Sequence, residues 1–222
     1  MNGFVNREDA GRRLAAELSS YAAQHPIILA LPRGGVPVGY EIARALHAPL
    51  DVWVVRKVGV PWHPELGAGA VAEGGFVYLN PEVLEHIGLS EAELTELVQS
   101  KKREVEERVQ LFRGGHPPPV LRDRTVILVD DGIASGGTVR AAIRSIRAQK
   151  PKAIVLAVPV ASPEAVEALG REVDRVVCLR TPVDLYAIGV WYVDFGQVSD
   201  DEVSRLLDQA RREQTEAQHA VA

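Results

Sequence analysis

Cysteine is almost missing from this chain of 222 residues: Cys178 stands alone, so no disulfide can form within it, and a reducing, cytoplasmic setting is expected. Long hydrophobic runs are missing too. The longest apolar stretch, Ala153 to Ala161, reaches only about half of a membrane span and contains Pro159. Arg7, Glu8 and Asp9 interrupt the N-terminus, so neither a membrane segment nor an export signal is expected. Positive charge is not in excess, since 25 Lys and Arg against 30 Asp and Glu leave a net charge of −5, which argues against a nucleic-acid partner. The six histidines show no paired ligand spacing, which argues against a zinc site. What is present is globular, at 46% hydrophobic and 25% charged, in a length that suits one domain.

Apolar runs of strand length occur at Ile27–Leu31, Val126–Val129 and Ile154–Val158, with weaker ones at Val52–Val55 and Val176–Leu179. They are apolar throughout and alternate with helical patterns, which is the signature of a parallel sheet covered on both faces. The reading is therefore α/β, a parallel sheet of about five strands flanked by helices. Val139, Ala142, Ile143 and Ile146 repeat at helical spacing with Arg140, Arg144 and Arg147 left for solvent. Ser90 followed by Glu93 forms a capping box opening a helix toward Phe112, whose charged remainder, including Lys101, Lys102 and Arg103, reads as a solvated face. Between Arg56 and Asn80, glycines and prolines predict a loop leading into a hairpin that turns at Glu73-Gly74-Gly75. Gly114 to Pro119 breaks the long helix, and the last twenty residues read as a polar, fraying helix.

Chemistry concentrates in Thr125 to Thr138, TVILVDDGIASGGT. An apolar strand ends in Asp130 and Asp131, a loop of small residues follows, and Thr138 stands at the start of a helix. Small residues let backbone amides approach a phosphate, and the helix N-terminus adds unsatisfied donors and partial positive charge. Carboxylates next to an anion cradle make sense only if they face something else, such as sugar hydroxyls or magnesium. A ribose 5-phosphate supplies all of these partners. The Walker spacing of Gly132 and Gly137 fails because Thr138 stands where lysine is needed.

The stretch resembles the 5-phosphoribosyl-1-pyrophosphate (PRPP) motif of the type I phosphoribosyltransferases. That resemblance implies that Asp130 and Asp131 bind the ribose hydroxyls and that Ala134, Ser135, Gly136, Gly137 and Thr138 wrap the 5′-phosphate. Gly132 departs from the branched apolar residue usual there, and Ser135 replaces a threonine. Two further segments match in order. Leu31-Pro32-Arg33-Gly34-Gly35-Val36-Pro37 resembles the pyrophosphate loop, with Arg33 as a charged fork and Gly34 and Gly35 turning amides toward the anion. Arg56-Lys57-Val58-Gly59-Val60-Pro61 resembles the basic entry to the catalytic loop of adenine-type enzymes, which gives a lid and hairpin over 57–80.

The expectation is thus a single domain over 1–222. Its activity would be magnesium-dependent transfer of ribose 5-phosphate from PRPP to a nitrogenous acceptor, a purine-like base among the options, with release of pyrophosphate. Arg33, Lys57 and Asp131 are the expected catalytic residues, with Arg56 as a further substrate contact. Ala134 stands where 6-oxopurine enzymes carry an acid, which speaks against hypoxanthine and guanine. Tyr186 to Phe195 nevertheless resembles the hood of those enzymes, here over 182–200, so Tyr186, with Trp191 nearby, would stack on a flat acceptor. Magnesium would lie at Asp130 and at Asp194, although Asp194 stands one residue further from Gly189 than the pattern has it. The alternative is a PRPP- or nucleotide-sensing regulator of the same fold, and a homodimer stays open. Gly67 to Ala72 fits a dinucleotide fingerprint in the wrong context, and His63 stands alone in the expected lid.

Overall fold

The computed structural model describes residues 3–60 and 62–221, with the backbone alone at 63–66 and 218–221. Five parallel strands form the main sheet: β1 (Ile27–Ala30), β2 (Leu50–Val52), β6 (Thr125–Val129), β7 (Ala153–Val160) and β8 (Arg175–Arg180), in the order β2-β1-β6-β7-β8. A smaller antiparallel sheet holds β3 (Val55–Val60), β4 (His63–Ala72) and β5 (Phe76–Leu79). The helices are α1 (Arg7–Glu17), α2 (Gly35–Leu46), α3 (Pro81–Ile87), α4 (Glu91–Arg113), α5 (Gly137–Ala148), α6 (Pro163–Gly170) and α7 (Asp200–Val221).

Alternation along each buried strand explains the two cores. Ile28, Ala30, Ile127 and Val129 face Leu14 of α1, Val38 and Ile42 of α2, and Leu206 and Leu207 of α7. Ile27, Leu29, Val126 and Leu128 face Val139, Ile143 and Ile146 of α5 and Leu169 of α6. Helices thus cover both faces, which is why the strands carry no polar face. Each crossover returns a strand parallel to the first, so the strand ends and helix starts gather along one edge of the sheet.

Three expectations need correction. The run Val52–Val55 is not one strand: β2 ends at Val52 and β3 starts at Val55, because the chain leaves the main sheet at Trp53, whose amide donates to the Ala30 carbonyl at 3.0 Å. The segment from Arg56 is not a loop. It pairs as β3 with β4, Val58 opposite Gly69, with register shifts around Gly59, and the hairpin then turns at Glu73–Gly75. Glycine density there had outweighed the alternation of Val58 and Val60, which bury one face of the strand. The C-terminal helix starts earlier than expected and is docked rather than free, with Val203 and Leu207 fully buried.

Candidate active site

Three segments converge at the C-terminal ends of β1 and β6. β6 runs out at Val129, Asp130 and Asp131 follow, and the loop enters α5 through Gly136, whose φ of 75° is the left-handed conformation that glycine tolerates. The first amides of α5 have no partner within the helix and are free to serve an anion. Lys57 comes from the second sheet. On β3 it lies on the opposite face from Arg56, and a Cβ on Gly137 would stand 3.5 Å from its Cε. Lys57, Asp130 and the loop from Gly132 to Val139 line one cavity of about 150 Å³, so Ala134, Ser135, Gly136, Gly137 and Thr138 share it with one cation and one carboxylate.

The β1–α2 loop packs directly on this loop. A Cβ on Gly34 would collide with the Asp131 carboxylate, and one on Gly35 would come within 2.7 Å of the Val129 carbonyl oxygen. Backbone therefore meets backbone at Gly35, while at Gly34 the missing side chain makes room for the Asp131 carboxylate. A cis peptide joins Pro32 to Arg33. The half-exposed Arg33 guanidinium lies 3.7 Å from Asp200 at the start of α7, which also accepts from Arg108 of α4 at 2.5 Å.

The two aspartates differ. Asp130 Oδ1 accepts from the Asp131 amide at 2.9 Å, and burial, followed by repulsion from the Asp131 carboxylate, holds Asp130 well above the usual carboxylate range against a smaller opposing pull from Arg7. Asp131 turns toward the β1–α2 loop instead. Its Oδ2 accepts from Arg7 Nε at 2.8 Å, and its backbone carbonyl accepts from the Tyr192 hydroxyl at 2.6 Å. Burial pushes the Tyr192 phenol up.

Several expected residues do not join this group. Arg56 points to α4, where it pairs with Glu104, because alternation on β3 sends it away from Lys57. Asp194 is exposed; its amide donates to the Val5 carbonyl at 2.8 Å, and it lies on a cavity with Arg7 and Glu8 rather than on that of Asp130. Among the described residues, no group of three or more His, Cys, Asp or Glu side chains gathers to hold a metal. Tyr186 is 90% exposed, while Trp191 packs into the cluster of Phe4 and Tyr192. The His63 side chain lies outside those described. Gly132 has a physical reason: a Cβ there would run into Ile188, whose side chain fills that space from the helical turn Ile188–Trp191.

Arg7, Tyr192 and Asp200 were not foreseen. Arg7 sits 124 positions from Asp131 in an ordinary capped helix start, so no local pattern marks it.

An acidic pair and a loop of small residues at the strand ends of a parallel α/β sheet put the candidate site where open α/β sheets bind their ligands. The phosphoribosyl transferase domain model matches residues 5–190, and the chain belongs to that enzyme family. A Mycobacterium tuberculosis protein, Rv0571c, whose curated name gives phosphoribosyl transferase as a provisional assignment, is 43% identical over 217 residues. That match covers 98% of this chain and 49% of the relative, so the chain spans about half the length of the curated relatives it matches. Among solved structures, TT1426 from Thermus thermophilus is 40% identical with a TM-score of 0.82, covering 93% of this chain and 98% of that one. AQ2163 from Aquifex aeolicus, at 13% identity and a TM-score of 0.50 over 90% of this chain and 84% of its own, shares the fold. Among the described residues, no helix is long and apolar enough to cross a membrane.

Proposed function

We propose that this protein transfers ribose 5-phosphate from PRPP to a planar nitrogenous acceptor, releasing pyrophosphate, with magnesium bound alongside the donor. The observation that carries this reading is the meeting of Lys57, Asp130 and the Gly132–Val139 loop on one small cavity, with the Arg33-Gly34-Gly35 loop packed against the same acid pair. A donor with phosphate at one end and pyrophosphate at the other needs two anion sites with a polyol site between them. The cradle and the Arg33 loop would be the anion sites, and Asp130 and Asp131 lie between.

The roles follow from position. Amides at the start of α5, with the Ser135 and Thr138 hydroxyls, would bind the 5′-phosphate. Asp130 and Asp131 would accept from the ribose hydroxyls. As the bond from C1 to the pyrophosphate oxygen breaks, its electron pair leaves with the pyrophosphate. Arg33 would meet that charge from its loop, and Lys57, which lies over the cradle, would reach it as the arm closes. The acceptor nitrogen would close on C1 from the opposite face and give up its proton to the departing pyrophosphate, and the β3–β4 arm would keep water out as a lid. One carboxylate on the cavity suits magnesium, which is usually held by one or two carboxylates plus substrate phosphates. Asp130 would hold it, and the ion would offset charge on the pyrophosphate.

The testing experiment is a screen of acceptor bases for PRPP-dependent pyrophosphate release, run beside a PRPP titration. Release with one class of base supports the transferase. Saturable binding with no release across the screen would instead mark a PRPP sensor.

A further inference from the structure

We propose, resting on the donor-site reading above, that Arg7 is a positioning residue for the donor: it holds the Asp131 carboxylate in place for the ribose and thereby makes the N-terminal segment part of the donor site. Asp131 lies where the cradle and the Arg33 loop meet. Among the described residues, the cation paired with it is Arg7, and both side chains are largely buried, at 11% and 16% exposure. The guanidinium donates through Nε to Asp131 Oδ2 at 2.8 Å and through Nη1 to the Gly196 carbonyl at 2.7 Å, and it lies 3.9 Å above the Phe195 ring. The carboxylate is thus wedged between Gly34 and Arg7, which leaves Oδ1 for a ligand hydroxyl.

Arg7 is itself held from several sides. It opens α1, whose Ala10 and Leu14 are fully buried. The preceding residues run beside the hood: the Phe4 amide donates to Trp191, the Val193 amide to Phe4 and the Asp194 amide to Val5, at 2.8–2.9 Å. Phe195 stacks on Tyr192 at 4.9 Å, and the Tyr192 hydroxyl donates to the Asp131 carbonyl. Two contacts therefore reach the same aspartate, Arg7 of the N-terminal segment at its side chain and Tyr192 of the hood at its backbone. A cation in the first helical turn also runs against the helix dipole, so this position is favourable only because of its partners.

The test is calorimetric titration of PRPP with magnesium into the full chain and into Arg7→Met, Asp131→Asn and the double variant. Arg7→Met is expected to weaken PRPP binding by on the order of tenfold, as the loss of a charge-assisted hydrogen bond does. The double variant should bind no more weakly than Asp131→Asn alone, since Arg7 acts through Asp131, and Arg7→Lys should recover part of the loss. Should Arg7→Met fail to fold, Phe195→Leu removes the ring beneath the guanidinium from a partly exposed site. That variant is expected to cost about two- to fivefold in PRPP affinity. Unchanged or tighter binding in Arg7→Met or Phe195→Leu, or losses that multiply in the double variant, would overturn the inference alone. No PRPP binding by the unmodified protein would overturn the donor reading and this inference with it.

Discussion

Arg113 ends α4 and is only 2% exposed, yet it brings a full charge into the seam between the two sheets. Its Nε donates to Asp51 Oδ1 of β2 at 3.0 Å, its Nη2 to the Val52 carbonyl and to Glu73 Oε2, each at 3.0 Å, and its Nη1 to Glu73 Oε1. Asp51 belongs to the main sheet and Glu73 to the turn after β4, so one guanidinium joins the main sheet to the arm that carries Lys57. Arg113→Met keeps much of the volume but leaves two buried carboxylates and a carbonyl without their donor. Breaking a buried pair in this way costs about 3–5 kcal/mol. At about 2–4 °C per kcal/mol for a chain of this size, the melting temperature should fall by roughly 6–20 °C. The loss should depend on pH. Burial holds both Asp51 and Glu73 above their ordinary ranges, with Arg113 pulling them down. Without Arg113 both rise further, so the folded variant binds protons more tightly than its unfolded chain and loses stability as pH climbs through those raised values. Thermal melts at pH 5 and pH 8 should therefore show the larger deficit at pH 8. A variant melting within about 2 °C of the unmodified protein at pH 8, or one hurt more at pH 5, would refute the reasoning.

Asp131→Asn should weaken PRPP binding while leaving the fold intact, at some cost in melting temperature because the largely buried Arg7 loses its charged partner, and calorimetry showing equal affinity would remove the ribose assignment. Hydrogen exchange over residues 57–75 should slow when PRPP and magnesium are added, because the β3–β4 arm would order over the donor; unchanged protection would make it a fixed structural arm. Tyr186→Ala should raise the Michaelis constant for the acceptor roughly tenfold to a hundredfold and leave that for the donor alone, given about 1–3 kcal/mol for a lost base stack. An unchanged acceptor constant, or equal loss for both substrates, would remove the stacking role.

Legibility in the sequence followed the range of the interactions. β1, β6 and β7 could be read because strands buried on both faces are apolar nearly throughout, as in Val126–Val129, and the half-buried edge strand β8 showed through its apolar centre, Val176–Leu179. Helix α4 could be read from its cap, where Ser90 and Glu93 exchange hydrogen bonds. The loop from Asp130 to Thr138 was legible because its anion chemistry is local, with strand, acids, small residues and helix start in one run. Strands β3 and β4 were masked by Gly59, Gly67 and Gly69, whose strand pairing depends on neighbours from elsewhere in the chain: a Cβ on Gly69 would collide with the Tyr78 carbonyl oxygen. The same limit hid Arg7 and Asp200. Each is an ordinary charged residue at a helix start until the fold brings it to Asp131 or Arg33, and nothing at i±4 announces a partner more than a hundred residues away.

Whether the strand-end loop holds a phosphoribosyl group is measured most directly by a crystal structure of the protein soaked with PRPP and magnesium. The expected result places the 5′-phosphate on the amides of Ser135 to Thr138, the ribose hydroxyls on Asp130 and Asp131, and the pyrophosphate between Arg33 and Lys57. A donor bound at any other place, or a cradle that stays without phosphate at saturating PRPP, would contradict it.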